Sequence, residues 1–168
     1  WSIDAGVDTI EHGIYLTETQ AYRLAQANIP LIPTAAVYHI AADPHGAFGL
    51  DKVFRDRASR AAEAHAKAVS IAQKEGVRIG VGSDFATPAL HGRNLMELDV
   101  LMDYGLTREE AWRSATELGA DIIGLGDKLG RISEGFVADA IIFDADPYQA
   151  PNAAALIESI AMVVTGEL

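Results

Sequence analysis

Short apolar stretches alternate with amphipathic ones through the first two thirds of this chain. Val7 to Gly13 and Val77 to Asp84 each read as a buried-type strand that ends in a metal-competent side chain, His12 in the first and Asp84 in the second. Ile29 to Thr34 is a third compact apolar strand. Between them the period changes to that of a helix. Thr17-Glu18-Thr19-Gln20 is a capping box that predicts a short helix to about Asn28. From Asp51 to Glu75, Phe54, Ala58, Ala61, Ala62, His65, Val69 and Ala72 recur at three- and four-residue spacings, with Gly76 as the stop. Asn94 with Glu97 opens a further helix carrying Leu95, Leu98, Leu101 and Met102, and Gly105 ends it. Thr107 with Glu110 opens the next, with Ala111, Ala115 and Leu118 on one face. Residues Ala35 to Leu50, holding Tyr38, His39, Asp43, Pro44 and His45, are predicted to form a long loop of the kind that often carries function.

Past Gly126 the pattern changes. Gly130 to Gly135 is turn-like, and Ala138–Asp144 and Ile160–Gly166 read as strands with no capped helix between them, so the tail is expected to be a small β element. The expected fold class is α/β, with residues 1–125 as one unit and 126–168 as an appended one. Strands that deliver His12 and Asp84 from their C-terminal ends describe the working face of a (β/α) barrel.

Bulk properties narrow the chemistry. A length of 168 residues with 49% hydrophobic content suffices for one domain with a sizeable core. The net charge of -11 argues against nucleic-acid or anionic-membrane partners, which are met with clustered Lys and Arg. Without Cys there is no disulfide, thiolate site or Cys nucleophile, so any metal must be held by His, Asp, Glu or a modified side chain. No run of about 18 apolar residues is present to span a bilayer. The start at Trp1 lacks a signal-peptide pattern and an initiator Met. The expectation is therefore a soluble, cytoplasmic segment of a longer polypeptide.

Single residues carry more than one reading. Asp84 serves as a site carboxylate or as an Asx turn or cap. His65, on the apolar face of the long helix, is read as structural. His39 and His45 sit where they could face substrate or simply be solvated, and His91 divides between loop architecture and site. Glu63, Glu109 and Glu117 are read as solvated helix faces.

Five motifs in order, Ile10-Glu11-His12-Gly13, Gly82-Ser83-Asp84, His91 to Leu98, Gly105-Leu106-Thr107 and Gly130 to Ala140, resemble the C-terminal half of metal-dependent amidohydrolases. The branch they resemble is that of Xaa-Pro dipeptidases and imidazolonepropionases. The resemblance implies a partial TIM (β/α)8 barrel, with His12 ending its sixth strand, Ile29–Thr34 forming the seventh and Asp84 ending the eighth. It further implies that the tail supplies strands of a small β-sandwich. By the same resemblance, His12 is a metal ligand in a two-metal site or faces substrate in a one-metal site, Asp84 is a metal ligand that also moves a proton, and the metal is zinc by default, as one or two ions. Where relatives read Thr and then Asn-Pro-Ala, this chain has Ala115-Thr116-Glu117-Leu118-Gly119-Ala120, which loses the Pro but keeps the small residues of a tight helix junction. The family's first-strand His-x-His, fourth-strand lysine and fifth-strand histidine have no counterpart here.

The implied reaction is hydrolysis of amide or peptide C–N bonds in dipeptides, N-acyl amino acids or cyclic amides. A cation would lower the pKa of water from about 16 toward about 7, and a carboxylate would accept its proton. Tyr38, His39, His91 and Arg93 are candidate substrate holders by position. The alternative is a non-catalytic partial domain that needs the missing N-terminal barrel half or a partner chain, with a homo-oligomer as a further possibility. A free-standing nucleotide-binding domain lacks the Gly-rich phosphate loop it would need.

Overall fold

The computed structural model describes residues 1–166; the last two residues of the predicted tail unit lie outside the described residues. Strand β1 (Ile10–Glu11) pairs in parallel with β2 (Leu31–Ile32), Ile10 opposite Leu31 and Glu11 opposite Ile32. The segment around Ile79 lies parallel on the other side of β2: Leu31 N–H donates to the Arg78 carbonyl and Gly80 N–H to the Leu31 carbonyl, both at 2.9 Å. Parallel neighbours require crossovers, and helices supply them. The first is α2 (Glu18–Gln26), following a short N-terminal turn of helix, α1 (Ser2–Ala5). Its Thr17–Gln20 capping box is formed on both sides. Ala21 and Leu24, three residues apart, bury one face of it.

The second crossover contains two helices. The predicted loop at Ala35–Leu50 is corrected here, because Ala36–Ala42 forms helix α3. Alanine is the best helix former, but the cap comes from elsewhere: Glu97 accepts the Ala35 and Ala36 N–H groups at 2.7 and 2.8 Å. The long helix α4 (Lys52–Lys74) follows, capped by the Asp51 side chain. Ala62, His65, Ala68, Val69 and Ala72 form its buried face. With Leu24, Leu31, Ile79 and Leu101 they belong to or border the core, on which α2 and α4 close over the strands.

Helix α5 (Met96–Asp103) starts later than Asn94 implied. Asn94 instead donates to the Ser83 hydroxyl at 2.8 Å, and Glu97, read as half of a cap for its own helix, is spent on α3. The following helix breaks at Thr116 into α6 (Arg108–Ala115) and α7 (Glu117–Ile122).

In the tail, β3 (Ala140–Phe143) and β4 (Ile160–Val164) pair antiparallel, with an irregularity between Ile142 and Phe143. A capped helix does separate them, contrary to the sequence reading: α8 (Ala153–Glu158), with Asn152 accepting from Ala155 N–H at 3.0 Å. Asp99 of α5 accepts the Ala153 N–H at 2.9 Å, and Leu156 is buried in this contact region. Thus two acidic side chains of α5 accept from the first N–H groups of two other helices, which have no partner within their own helix. No helix among the described residues is long and apolar enough to cross a membrane.

Candidate active site

The three parallel segments finish on one side, and each finishes in a left-handed residue: His12 at φ 65°, Thr34 at φ 54° and Asp84 at φ 50°. Among the described residues the remaining non-glycine example is Asn28. Such backbone costs on the order of 1–3 kcal/mol per residue, persists only where the surroundings enforce it, and clusters at sites. For a β-branched residue such as Thr34 it is the least favourable. The enforcement is partly steric. A Cβ on Gly13 would stand 2.5 Å from Leu31 Cδ1, and one on Gly82 would stand 2.5 Å from Ile32 Cγ2, so the backbone at both positions lies tight against β2.

His12 is held at three points. Its N–H donates to the Ile32 carbonyl at 2.8 Å, its Nδ1 lies 2.6 Å from Thr34 Oγ1, and its carbonyl accepts from His65 Nε2 at 2.7 Å. His65 is fully buried, and burial pushes its pKa down to about 4, against the pull of that hydrogen bond. It is therefore a neutral donor, with Nδ1 lacking a partner among the described residues. Tyr38 of α3 stands edge-on between the two imidazoles, 6.4 Å from His12 and 5.4 Å from His65 between ring centroids. Burial, then the Asp84 carboxylate, then Tyr15 raise the Tyr38 pKa, so Asp84 lies within electrostatic reach of the phenol. Asp84 itself is exposed.

The structure thus sets Tyr38 edge-on to His12 and within electrostatic reach of Asp84, and turns the other candidates to different partners or to solvent. His39 Nε2 is 2.8 Å from the Tyr104 hydroxyl, which donates to the Ala62 carbonyl at 3.1 Å; this ties α3 to α5 and α4. His91 and Arg93 are exposed on the turn after Pro88–Leu90, with no side-chain hydrogen bond or ion pair among the described residues. His45 is exposed in the loop after α3. A neutral imidazole nitrogen and a carboxylate oxygen are suitable donors for a divalent cation. No group of three or more His, Cys, Asp or Glu among the described residues is placed to hold one, so by donor chemistry alone His12 and Asp84 offer at most part of a coordination sphere.

Two residues escaped the sequence reading. Thr34 ends its strand as His12 and Asp84 end theirs, and the same strand-end rule would have found it. Glu97 is fully buried under the N-terminus of α3. Burial raises its pKa to about 7, and the Ala36 and Ala35 N–H groups hold it below what burial alone would give. No local pattern announces it, because its partners lie about sixty residues away in sequence.

Comparison with known proteins bears on this arrangement. The amidohydrolase family model matches residues 1–166. Ochratoxinase of Aspergillus niger is 30% identical over 150 residues, which are 88% of this chain and 30% of that protein. A crystal structure of a Xaa-Pro dipeptidase with methionine bound in its active site superposes with a TM-score of 0.83 at 25% identity, over 98% of this chain and 40% of that one. Imidazolonepropionase of Klebsiella pneumoniae (strain 342) is 34% identical over 80 residues, 46% of this chain and 20% of that protein. The chain therefore spans well under half the length of each.

Proposed function

The chain belongs to the amidohydrolase family, and we propose that it supplies the His12 and Asp84 part of a site that hydrolyses amide or peptide C–N bonds. The observation that carries this is the shared left-handed strand-end geometry of His12 and Asp84, with Tyr38 edge-on to His12 and within electrostatic reach of Asp84. The three parallel segments are read as the sixth to eighth strands of a (β/α)8 barrel, and β3 and β4 as part of an appended sandwich. The substrate class is dipeptides, N-acyl amino acids or cyclic amides. Relatives named Xaa-Pro dipeptidase, imidazolonepropionase and ochratoxinase support that range.

A divalent cation, zinc in this reading, would polarise the scissile carbonyl and make water acidic enough to lose a proton near neutral pH. His12 and Asp84 would hold it together with donors outside the described residues. Asp84 takes the proton from the attacking water and delivers it to the amine nitrogen as the C–N bond breaks. Tyr38 donates its phenol O–H to the oxygen that gains negative charge, a role its raised pKa suits because the proton stays on the phenol. His65 holds the His12 backbone from behind and remains neutral throughout.

Asp84→Asn should lower kcat by about a hundredfold or more, the low end of a general-base contribution, and leave the circular dichroism spectrum and melting temperature unchanged. His12→Ala should lose metal. The assay uses the full natural polypeptide, a set of Xaa-Pro dipeptides and N-acyl amino acids, and metal analysis of each variant. A folded Asp84→Asn enzyme with near-normal kcat would refute the assignment. A polypeptide with no hydrolysis and no metal would favour the alternative, a non-catalytic partial domain.

A further inference from the structure

The hydroxyl of Thr34 touches two groups at once: it lies 2.6 Å from the Pro33 carbonyl and 2.6 Å from His12 Nδ1. A hydroxyl has one proton and a carbonyl can only accept. Directing that proton to His12 would leave two oxygen lone pairs facing each other at 2.6 Å. The arrangement that satisfies both contacts sends the Thr34 proton to Pro33 and makes Thr34 Oγ1 the acceptor from His12 Nδ1–H. We infer that Thr34 is a positioning residue that locks neutral His12 as its Nδ1–H tautomer and leaves the Nε2 lone pair as the one the chain can present at the strand ends.

The rest of the geometry agrees. Thr34 is buried, 4% exposed, so water does not compete for its hydroxyl. Its φ of 54° is a conformation a β-branched residue adopts at a cost, yet it sets the hydroxyl against His12. The His65 bond to the His12 carbonyl fixes the same residue from the backbone side, so rotation of the imidazole must break the Thr34 contact. An imidazole whose second nitrogen donates to a fixed acceptor is oriented and made a better ligand. The same choice presents a lone pair, and no proton, to a substrate or cation at Nε2. This rests on the reading of His12 as a site residue, but the tautomer itself does not depend on catalysis.

The test uses the full natural polypeptide labelled with 15N-histidine. Long-range proton–nitrogen correlation spectra at a pH where imidazoles are neutral report which ring nitrogen carries the proton, with His12→Gln assigning the signal. Wild type should show His12 protonated at Nδ1. Thr34→Val, nearly the same shape without the hydroxyl, should show both tautomers, and Thr34→Ser should restore the single one. Titration with Zn2+ alone should show affinity about 10- to 100-fold weaker in Thr34→Val and recovered in Thr34→Ser. A wild-type His12 protonated at Nε2 overturns the inference even if Thr34→Val fails to fold. So does a folded Thr34→Val that keeps the pure Nδ1–H form. If the tautomer behaves as expected while His12→Ala and Asp84→Asn leave metal content and kcat unchanged, the hydrolase reading fails and the Thr34 assignment stands.

Discussion

Replacing Glu97 by Gln should make the protein lose stability in a pH-dependent way, with a sign opposite to ordinary carboxylate loss. Glu97 titrates near 7 in the fold, chiefly because it is buried, and near 4.5 when unfolded. Its protonated form is thus favoured by folding. The associated stability is fully present below about pH 4.5 and is lost as pH rises through about 7. Linkage over that interval makes the wild-type contribution about 2–3 kcal/mol larger at pH 5 than at pH 8. Gln keeps the shape but turns an NH2 group toward one of two N–H donors, a cost of about 1–3 kcal/mol that does not vary with pH. The advantage of wild type over Glu97→Gln should therefore grow by about 2–3 kcal/mol on going from pH 8 to pH 5. Urea unfolding of both proteins at the two pH values measures it.

Wild type alone would mislead, because His65 works in the other direction. Its pKa falls from 6.5 to about 4 in the fold, so its stability is present above 6.5 and is lost as pH falls toward 4. Between pH 8 and pH 5 that removes about 2 kcal/mol. The two slopes nearly cancel, and subtracting the variant isolates Glu97. An advantage that is constant with pH, or that shrinks at pH 5, would refute the placement of a buried titrating carboxyl under α3.

Other substitutions test the packing that supports the site. Gly82→Ala must push a Cβ against Ile32 Cγ2 at 2.5 Å, so it should cost about 1–3 kcal/mol in urea unfolding and also lower kcat by displacing Asp84. Leu156→Ala, in the buried contact of α8, should cost about 2–4 kcal/mol, with amide exchange rising first in α8, β3 and β4. His65→Ala should lower the melting temperature through the cavity and the lost bond to the His12 carbonyl.

What the sequence by itself determined was whatever rests on neighbours in the chain. Apolar runs marked the strand segments, the Thr17 and Thr107 boxes marked two helix starts, and the placement of His12 and Asp84 was visible because each closes an apolar run. The ordered motifs pointed to the family for the same reason: they are local and their order survives. Tertiary structure decided whatever depends on partners far along the chain. Helix α3 was missed because its cap is a carboxylate on α5, and α8 because its Asn152 cap works together with Asp99. Tyr38 and His39 are adjacent in sequence, yet one turns toward His12 and the other toward Tyr104, a division made by the packing of α3 on α4 and α5. The tautomer of His12 is set by Thr34, a residue that reads as ordinary until the parallel strands bring it within 2.6 Å.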